Sequence, residues 1–424
     1  MNERRAFLKR VGAGVLGADV LATLLSIREA TAEEIDGLGL SRLKADTFGQ
    51  LRREYMLSPD VVYLNHASIG TTPRAVHEAR VRYLDVCESN PWLYMWGGAW
   101  EEPRESVRQR AAAILGVPPE TTAITHNTTE AFNVLANGLP LGSGDEVVFS
   151  SLNHTGASAP FFHAARRRGF TVTRFQFPVA DVPTMSASDV VDAYAANVTS
   201  RTRLLVFPAI DNMVGIRHPV RDLTAMARAR RVDWVAVDGA QSVGMLPVHA
   251  GMLGVDVYAT SPHKWLQAPK GLGLASFSPA IQEVLEPMWV TWGQNRWKAT
   301  ARKYEDYGTR NFAETLALGD AIDFQSGIRG EERETRLRAL WAHTRERALA
   351  HEATAWASPH DWSLGTSLYS VALRRADPVR FAREAYERHG IVFRPFNTQG
   401  LKSVRLSPNV ISSEDDIDRV FALL

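Results

Sequence analysis

Between residues 120 and 280 the chain alternates short apolar runs with stretches long enough for helices. The runs at 147–149, 204–207, 232–237 and 255–258 are largely apolar at successive positions instead of every second one. A strand that is apolar on both sides is one covered on both sides, so the pattern predicts an α/β fold: a mostly parallel sheet with helices on both faces. Ahead of it, 35–57 is polar and helical in pattern, and 61–64 is a short strand opening into Asn65-His66-Ala67-Ser68-Ile69-Gly70. Pro73 then starts a helix running through Val86, proline being well placed in a first turn. Another helix ends at Gly116. From about Trp362 the period changes: 367–373 alternates, 379–389 is helical, and 391–394 and 404–407 are strand-like. These shifts divide the chain into an N-terminal helical segment (33–60), a large domain (61–325) and a small α+β C-terminal domain (326–424), with no internal repeat.

A chain of 424 residues can bury a sizeable core, and a large domain with a smaller one attached suits that length. Lys and Arg total 48 against 47 for Asp and Glu, so the net charge of +1 offers no field to gather nucleic acid or anionic lipid. The single cysteine, Cys87, excludes an intramolecular disulfide. Residues 1–32 say more. Glu3-Arg4-Arg5-Ala6-Phe7-Leu8-Lys9 resembles the twin-arginine export motif, and a largely apolar stretch at 11–27 leads to the small-x-small cleavage pattern Ala30-Thr31-Ala32. The expectation is a targeting segment over 1–32, the twin-arginine export machinery as a partner, and a periplasmic or secreted protein. Asp19 interrupts the apolar stretch and Arg28-Glu29 crowd the cleavage site. An uncleaved anchor therefore stays open, as does a cytoplasmic amphipathic helix.

The run at 255–260 delivers Ser261-Pro262-His263-Lys264-Trp265, which sets a lysine just past a strand end, where it can anchor a pyridoxal cofactor. Upstream, 232–237 ends in Asp238-Gly239-Ala240-Gln241, a carboxylate at the C-terminal end of a buried strand. Such a carboxylate suits a pyridinium nitrogen, and a protonated pyridine is the electron sink for chemistry on an amino acid. In Asn127-Thr128-Thr129-Glu130 a loop feeds a helix whose first N–H groups and threonine hydroxyls make either a phosphate cradle or an ordinary cap. His154 follows the strand at 147–149, and a free imidazole has its pKa near neutrality, which suits proton traffic. Arg405 is either a solvated strand-edge charge or a bidentate carboxylate clamp.

Eight segments occur in an order that resembles one known family. They are Tyr63-Leu64-Asn65-His66-Ala67-Ser68, Asn127-Thr128-Thr129-Glu130-Ala131, Asn153-His154, Asn212-Met213-Val214-Gly215, Asp238-Gly239-Ala240-Gln241, Ser261-Pro262-His263-Lys264, Gly308-Thr309-Arg310-Asn311 and Arg405-Leu406-Ser407. From residue 61 onward the chain resembles class V aminotransferase-fold, pyridoxal-phosphate (PLP) dependent enzymes, closest in texture to isopenicillin N epimerase-like proteins. The resemblance implies fold type I, with Lys264 as covalent anchor, Asp238 at the ring nitrogen and His154 stacked on the ring. It implies phosphate contacts from Thr128, Thr129, Ser261 and His263, and from Thr309 of a neighbouring subunit, hence a homodimer with shared active sites. Asn212 and Gln241 would line the pocket, Gln241 near the cofactor's phenolic oxygen. Asn65, His66 and Arg405 would bind substrate, with Arg310 and Arg394 as secondary candidates for a distal carboxylate. No metal ligands are assigned.

These residues specify an activated α-carbon and leave its fate open. The expectation is a transaminase-type reaction on an amino-acid unit of a peptide-like or secondary metabolite. Epimerisation, carbon–sulfur β-lysis and a catalytically silent binding protein are the alternatives. A desulfurase is disfavoured, because the fold's desulfurases carry a loop cysteine near the small domain and Cys87 lies in an early helix. An exported member would resemble the periplasmic enzyme that tailors the siderophore pyoverdine. Two aromatic-rich stretches, with Trp92, Tyr94, Trp96 and Trp100, then Trp289, Trp292, Trp297, Tyr304 and Tyr307, read as a wall for a bulky substrate, a subunit contact or core.

Overall fold

The computed structural model describes residues 47–424. The targeting segment expected over 1–32, and the helical pattern up to residue 46, lie outside them. Strands in chain order are β1 (Val62–Tyr63), β2 (Thr122–Thr125), β3 (Glu146–Ser150), β4 (Thr171–Phe175), β5 (Thr202–Pro208), β6 (Trp234–Asp238), β7 (Val257–Thr260), β8 (Gly273–Phe277), β9 (Thr354–Trp356), β10 (Tyr369–Leu373), β11 (Ile391–Val392), β12 (Arg394–Thr398) and β13 (Leu401–Leu406).

The central sheet runs β2-β8-β7-β6-β5-β3-β4. From β7 to β4 every pairing is parallel; β8 is antiparallel to both its neighbours. The apolar runs have a direct cause. Leu205 and Phe207 of β5 pack into one hydrophobic cluster while Leu204 and Val206 pack into another, so each face of the sheet has its own core. The fold class is the expected one, an α/β large domain with a mostly parallel sheet. Three strands carried no such signal. β4 is a largely exposed edge strand with polar alternation, β2 is short, and β8 reads Gly-Leu-Ala-Ser-Phe. The small residues of β8 have a reason: a Cβ on Gly273 would lie 2.4 Å from Thr125 Oγ1 and 2.6 Å from the Asn127 nitrogen.

The C-terminal region forms a four-stranded antiparallel sheet, β12-β13-β10-β9. The chain between β1 and Gly70 joins it to the central sheet. β1 pairs in parallel with β11, and Asn65 bridges Ser407. At its far end the Gly70 N–H donates to the His263 carbonyl at 2.8 Å. A Cβ on Gly70 would sit 2.0 Å from the Lys264 carbonyl oxygen, so only glycine permits this approach. Among the described residues no helix is long and apolar enough to cross a membrane.

Candidate active site

Parallel strands deliver loops at their C-terminal ends, where open α/β sheets bind ligands. β6 ends in Asp238, and on either side of it in the sheet lie β7, leading to Lys264, and β5 and β3, leading to Asn212 and His154. Asp238 is buried, and one carboxylate oxygen accepts the Ala240 N–H at 3.0 Å. The half-buried Lys264 has its amine pulled down to about 8. Desolvation is the main cause, Arg405 and Arg394 add to it, and Asp238 opposes it. The lysine loop is fixed by Trp265, whose indole N–H donates to Gln241 Oε1 at 2.7 Å, while Gln241 Nε2 donates to the Ala67 carbonyl at 2.9 Å.

A second set of groups forms a donor-rich end. Asn127 caps the helix Thr128–Gly138 by accepting the Glu130 N–H at 2.9 Å. The Thr128 N–H donates to Ser261 Oγ at 3.2 Å, and the Thr128 and Ser261 hydroxyls lie 2.8 Å apart. Gly156 faces them: a Cβ there would fall 2.3 Å from Thr129 Oγ1. Burial takes His263 down to about 4, so its ring is neutral, and Nδ1, 3.2 Å from the Leu272 carbonyl, carries the proton. His154 caps the helix Thr155–Arg168, its Nδ1 accepting the Gly156 N–H at 3.0 Å. In the neutral ring the proton is therefore on Nε2. Desolvation lowers its pKa, Asp238 pulls the other way, and Lys264 adds to the lowering.

Arg405 is 1% exposed and donates to three neutral oxygens: the Asn212 carbonyl at 2.7 Å, Asn65 Oδ1 at 2.8 Å and Ser68 Oγ at 2.7 Å. It makes no ion pair among the described residues, and its Nε has no partner. Burial, with Arg394 adding to it, brings its pKa down to about 9.

Lys264, Asp238, His154, Thr128, Thr129, Asn212, Gln241, Ser261, His263, Arg394 and Arg405 all line one cavity of about 280 Å³. Asn65 and His66 do not. Asn65 stands behind Arg405, and His66 is buried with Nδ1 3.2 Å from the Ser407 carbonyl, its pKa lowered to about 4 by burial. The next two residues, Ala67 and Ser68, face the cavity instead. Thr309 and Arg310 line a separate cavity of about 410 Å³ with Trp96, Trp100, Trp292 and Trp297, and Arg310 donates to the Glu305 carbonyl and to Asp306. Asp211 carries no expectation from the sequence. It is fully buried and accepts the N–H groups of Met213, Val214 and Ile216 at 2.7–2.8 Å, shaping the loop whose Asn212 carbonyl holds Arg405. Its position ahead of Asn-Met-Val-Gly was the available signal, that of an aspartate closing a turn on its own backbone.

This donor set fits PLP. Thr128, Thr129, Ser261 and the start of an eleven-residue helix suit a phosphate, Gly156 leaves the space beside them, and Asp238 and Lys264 supply a carboxylate and a low-pKa amine in the same cavity.

The class-V aminotransferase family profile matches residues 62–419. Isopenicillin N epimerase of Amycolatopsis lactamdurans is 35% identical over 400 residues, 89% of this chain and 97% of that protein. A cysteine desulfurase of Yersinia pestis is 28% identical over 331 residues, covering 74% and 77%. Among solved structures, the cystine C–S lyase C-DES in complex with cysteine persulfide superposes with a TM-score of 0.78 at 22% identity, covering 86% of this chain and 97% of that one. A further C-DES structure holds glycine covalently linked to its PLP cofactor. Carrying the family's profile along nearly its whole described length and a cavity that fits the cofactor, the chain belongs to the class-V aminotransferases and is a PLP-dependent enzyme.

Proposed function

We propose that the enzyme removes the proton from the α-carbon of a carboxylate-bearing amino-acid unit and delivers a proton to the opposite face, with epimerisation as the outcome. The observation that carries the reading is Arg405, a buried cation at the cavity wall held by neutral oxygens and lacking a carboxylate of its own among the described residues. A substrate carboxylate supplies the missing anion and thereby fixes the α-carbon relative to Lys264. PLP, when bound, withdraws electrons from the α-carbon of the amino acid joined to it. Lys264, with its amine near 8, is suited to remove and return a proton around neutral pH. His154 approaches from the opposite side of β6 with its proton on Nε2, which gives the site a second proton carrier. Asp238 would hold the proton at the ring nitrogen; Thr128, Thr129, Ser261 and His263 would hold the phosphate. The epimerase relatives favour return of the proton to the α-carbon over transamination. Cys87 lies in the helix Arg74–Ser89 and is not among the cavity's lining residues, which supports a reaction without a protein persulfide.

The test is incubation of holoenzyme with candidate amino acids and peptide-like metabolites in deuterated water. Deuterium at the α-carbon with inverted configuration supports the reading; a keto product selects transamination, and pyruvate with a released β-group selects lysis. Two further readings are proposals of the same kind. The exposed Trp96 and Trp292, which line one cavity with Thr309, suit a second copy of the chain, whose phosphate site Thr309 would complete; a monomer in solution would refute it. Arg4-Arg5 and Ala30-Thr31-Ala32 suit twin-arginine export, and changing both arginines to lysine should strand the protein in the cytoplasm.

A further inference from the structure

Arg394 and Arg405 are direct Cα partners in the antiparallel pairing of β12 with β13. Directly opposed residues send their side chains to the same face with Cβ atoms about 4.5–5.5 Å apart, and like charges so placed destabilise the sheet. The buried Asp211 attracts Arg405 from a distance, but no anion is bonded to either guanidinium among the described residues. Arg405 donates only to neutral oxygens, and the Arg394 side chain makes no hydrogen bond or ion pair among the described residues. Both guanidinium groups lie over one ring, Phe396, at 5.7 and 5.4 Å from its centroid, a contact that restrains them without neutralising either.

The two differ in depth. Arg405 is sealed at the inner wall, whereas Arg394 is exposed on an edge strand and still lines the cavity. A charge count over the lining leaves one cation over. With PLP bound, Lys264 and Asp238, the only carboxylate among the described lining residues, would both be engaged by the cofactor. That leaves the two arginines, and the α-carboxylate of the substrate takes Arg405. Arg394 then stands alone at the mouth. A single exposed guanidinium without backbone donors suits a monoanion; a phosphate dianion is better served by helix N–H groups and hydroxyls, and those occur at Thr128 and Ser261.

We infer that the substrate carries a second carboxylate, which Arg394 holds at the cavity mouth while Arg405 holds the α-carboxylate. The enzyme thus selects amino-acid units with an acidic side chain, or acidic peptide-like units, over neutral ones of equal size. This inference rests on the reading of Arg405 given above. The same arrangement sets the order of binding, since a long-range attraction at the exposed cation draws the acid in before the buried clamp engages.

Calorimetric titration of the PLP-loaded full chain with butyrate, glutarate and adipate tests it, because these acids lack an amine and report the two anion positions alone. The better diacid is expected to bind about tenfold tighter than butyrate, the size of one charge-assisted contact at an open site. Arg394→Gln should erase that advantage and leave butyrate affinity unchanged, Arg394→Lys should restore part of it, and Arg405→Gln should weaken all three acids. Arg394 has no hydrogen-bond partner to lose, so its variants should fold. Equal affinity of the parent for mono- and diacids overturns the inference while leaving Arg405 in place. So does an Arg394→Gln variant that weakens butyrate as much as the diacid, since both arginines then grip one carboxylate. If Arg405→Gln leaves butyrate binding intact, the earlier reading fails and the inference falls with it.

Discussion

Two cavities of this molecule, the aromatic one and the one holding Lys264, each have a buried guanidinium close by, and they treat it in opposite ways. Beneath the aromatic cavity Arg108 meets Glu305 through two parallel bonds of 2.7 Å, and Glu305 also accepts the Ile124 N–H at 2.7 Å. The pair settles itself: Glu305 is held down to about 2 by Arg108, which outweighs the opposing effect of burial, and the Arg108 pKa is raised despite desolvation. At the Lys264 cavity Arg405 is as deeply buried, is met only by neutral oxygens, and has its pKa lowered. Arg333 shows that lack of a carboxylate is not by itself the mark of a site. It too is buried on neutral acceptors, the Gly244 carbonyl and Gln325, yet it does not line the Lys264 cavity. A ligand-seeking arginine is one that is buried, lacks its own anion and borders a cavity. Arg405 meets all three conditions.

The largest effect should come from breaking the self-sufficient pair. Glu305→Ala leaves the buried Arg108 with only the longer 3.3 Å contact to the half-exposed Glu105 and is expected to cost about 3 kcal/mol of stability. Denaturant unfolding checks this, and the cofactor spectrum of the surviving folded protein should be unchanged. Arg405→Met should reverse the pattern. Removing this cation relieves its desolvation but leaves its three acceptors unmet, so the stability loss is expected to stay below that of Glu305→Ala, at about 1–2 kcal/mol, while kcat/KM for a carboxylate substrate falls roughly a hundredfold or more through lost orientation. If Arg405→Met unfolds the protein as readily as Glu305→Ala, the contrast between the two arginines is wrong.

A smaller effect tests what positions the clamp. Asp211→Asn keeps one oxygen for Met213 and Val214 but turns an amide N–H group toward the Ile216 N–H, an expected loss of about 1–3 kcal/mol. Carboxylate affinity should fall with it, as the Asn212 carbonyl shifts away from Arg405.

The smallest effect is on proton affinity. On the proposed reading, attachment of PLP to the apoenzyme needs a neutral Lys264 amine. With that amine at about 8, the rate should rise with pH to about 8 and then level, whereas an ordinary lysine keeps gaining to about 10.4. Arg405 is one of the cations lowering the Lys264 pKa, so Arg405→Met should move the midpoint upward. A downward shift would contradict the electrostatic link between the two residues.

The strands that carry the site were visible in the sequence because both of their faces are buried, which leaves largely apolar runs ending at Asp238 and just short of Lys264. The edge strand β4 and the small-residue strand β8 gave no such runs, since one is solvated and the other is shaped by close backbone approach. Within the cavity, the loops following strand ends made Thr128, His154 and Lys264 legible, but chain threading did not show itself. Asn65 and His66 turn toward Arg405 and Ser407 because the segment pairs with the C-terminal region, and only the structure reveals that Ala67 and Ser68 face inward. Arg108 and Glu305 are separated by 197 residues, a distance no local pattern spans. Asp211 was legible in principle as a turn-closing aspartate.

The most direct test is borohydride reduction of the purified holoenzyme followed by peptide mapping. The account predicts the reduced cofactor mass on Lys264, and loss of that label in Lys264→Ala with the fold retained. A label on Lys270, whose amine instead donates to Thr72 at 2.8 Å outside the cavity, or on no lysine at all, would contradict the placement of the reacting amine between Asp238 and Arg405.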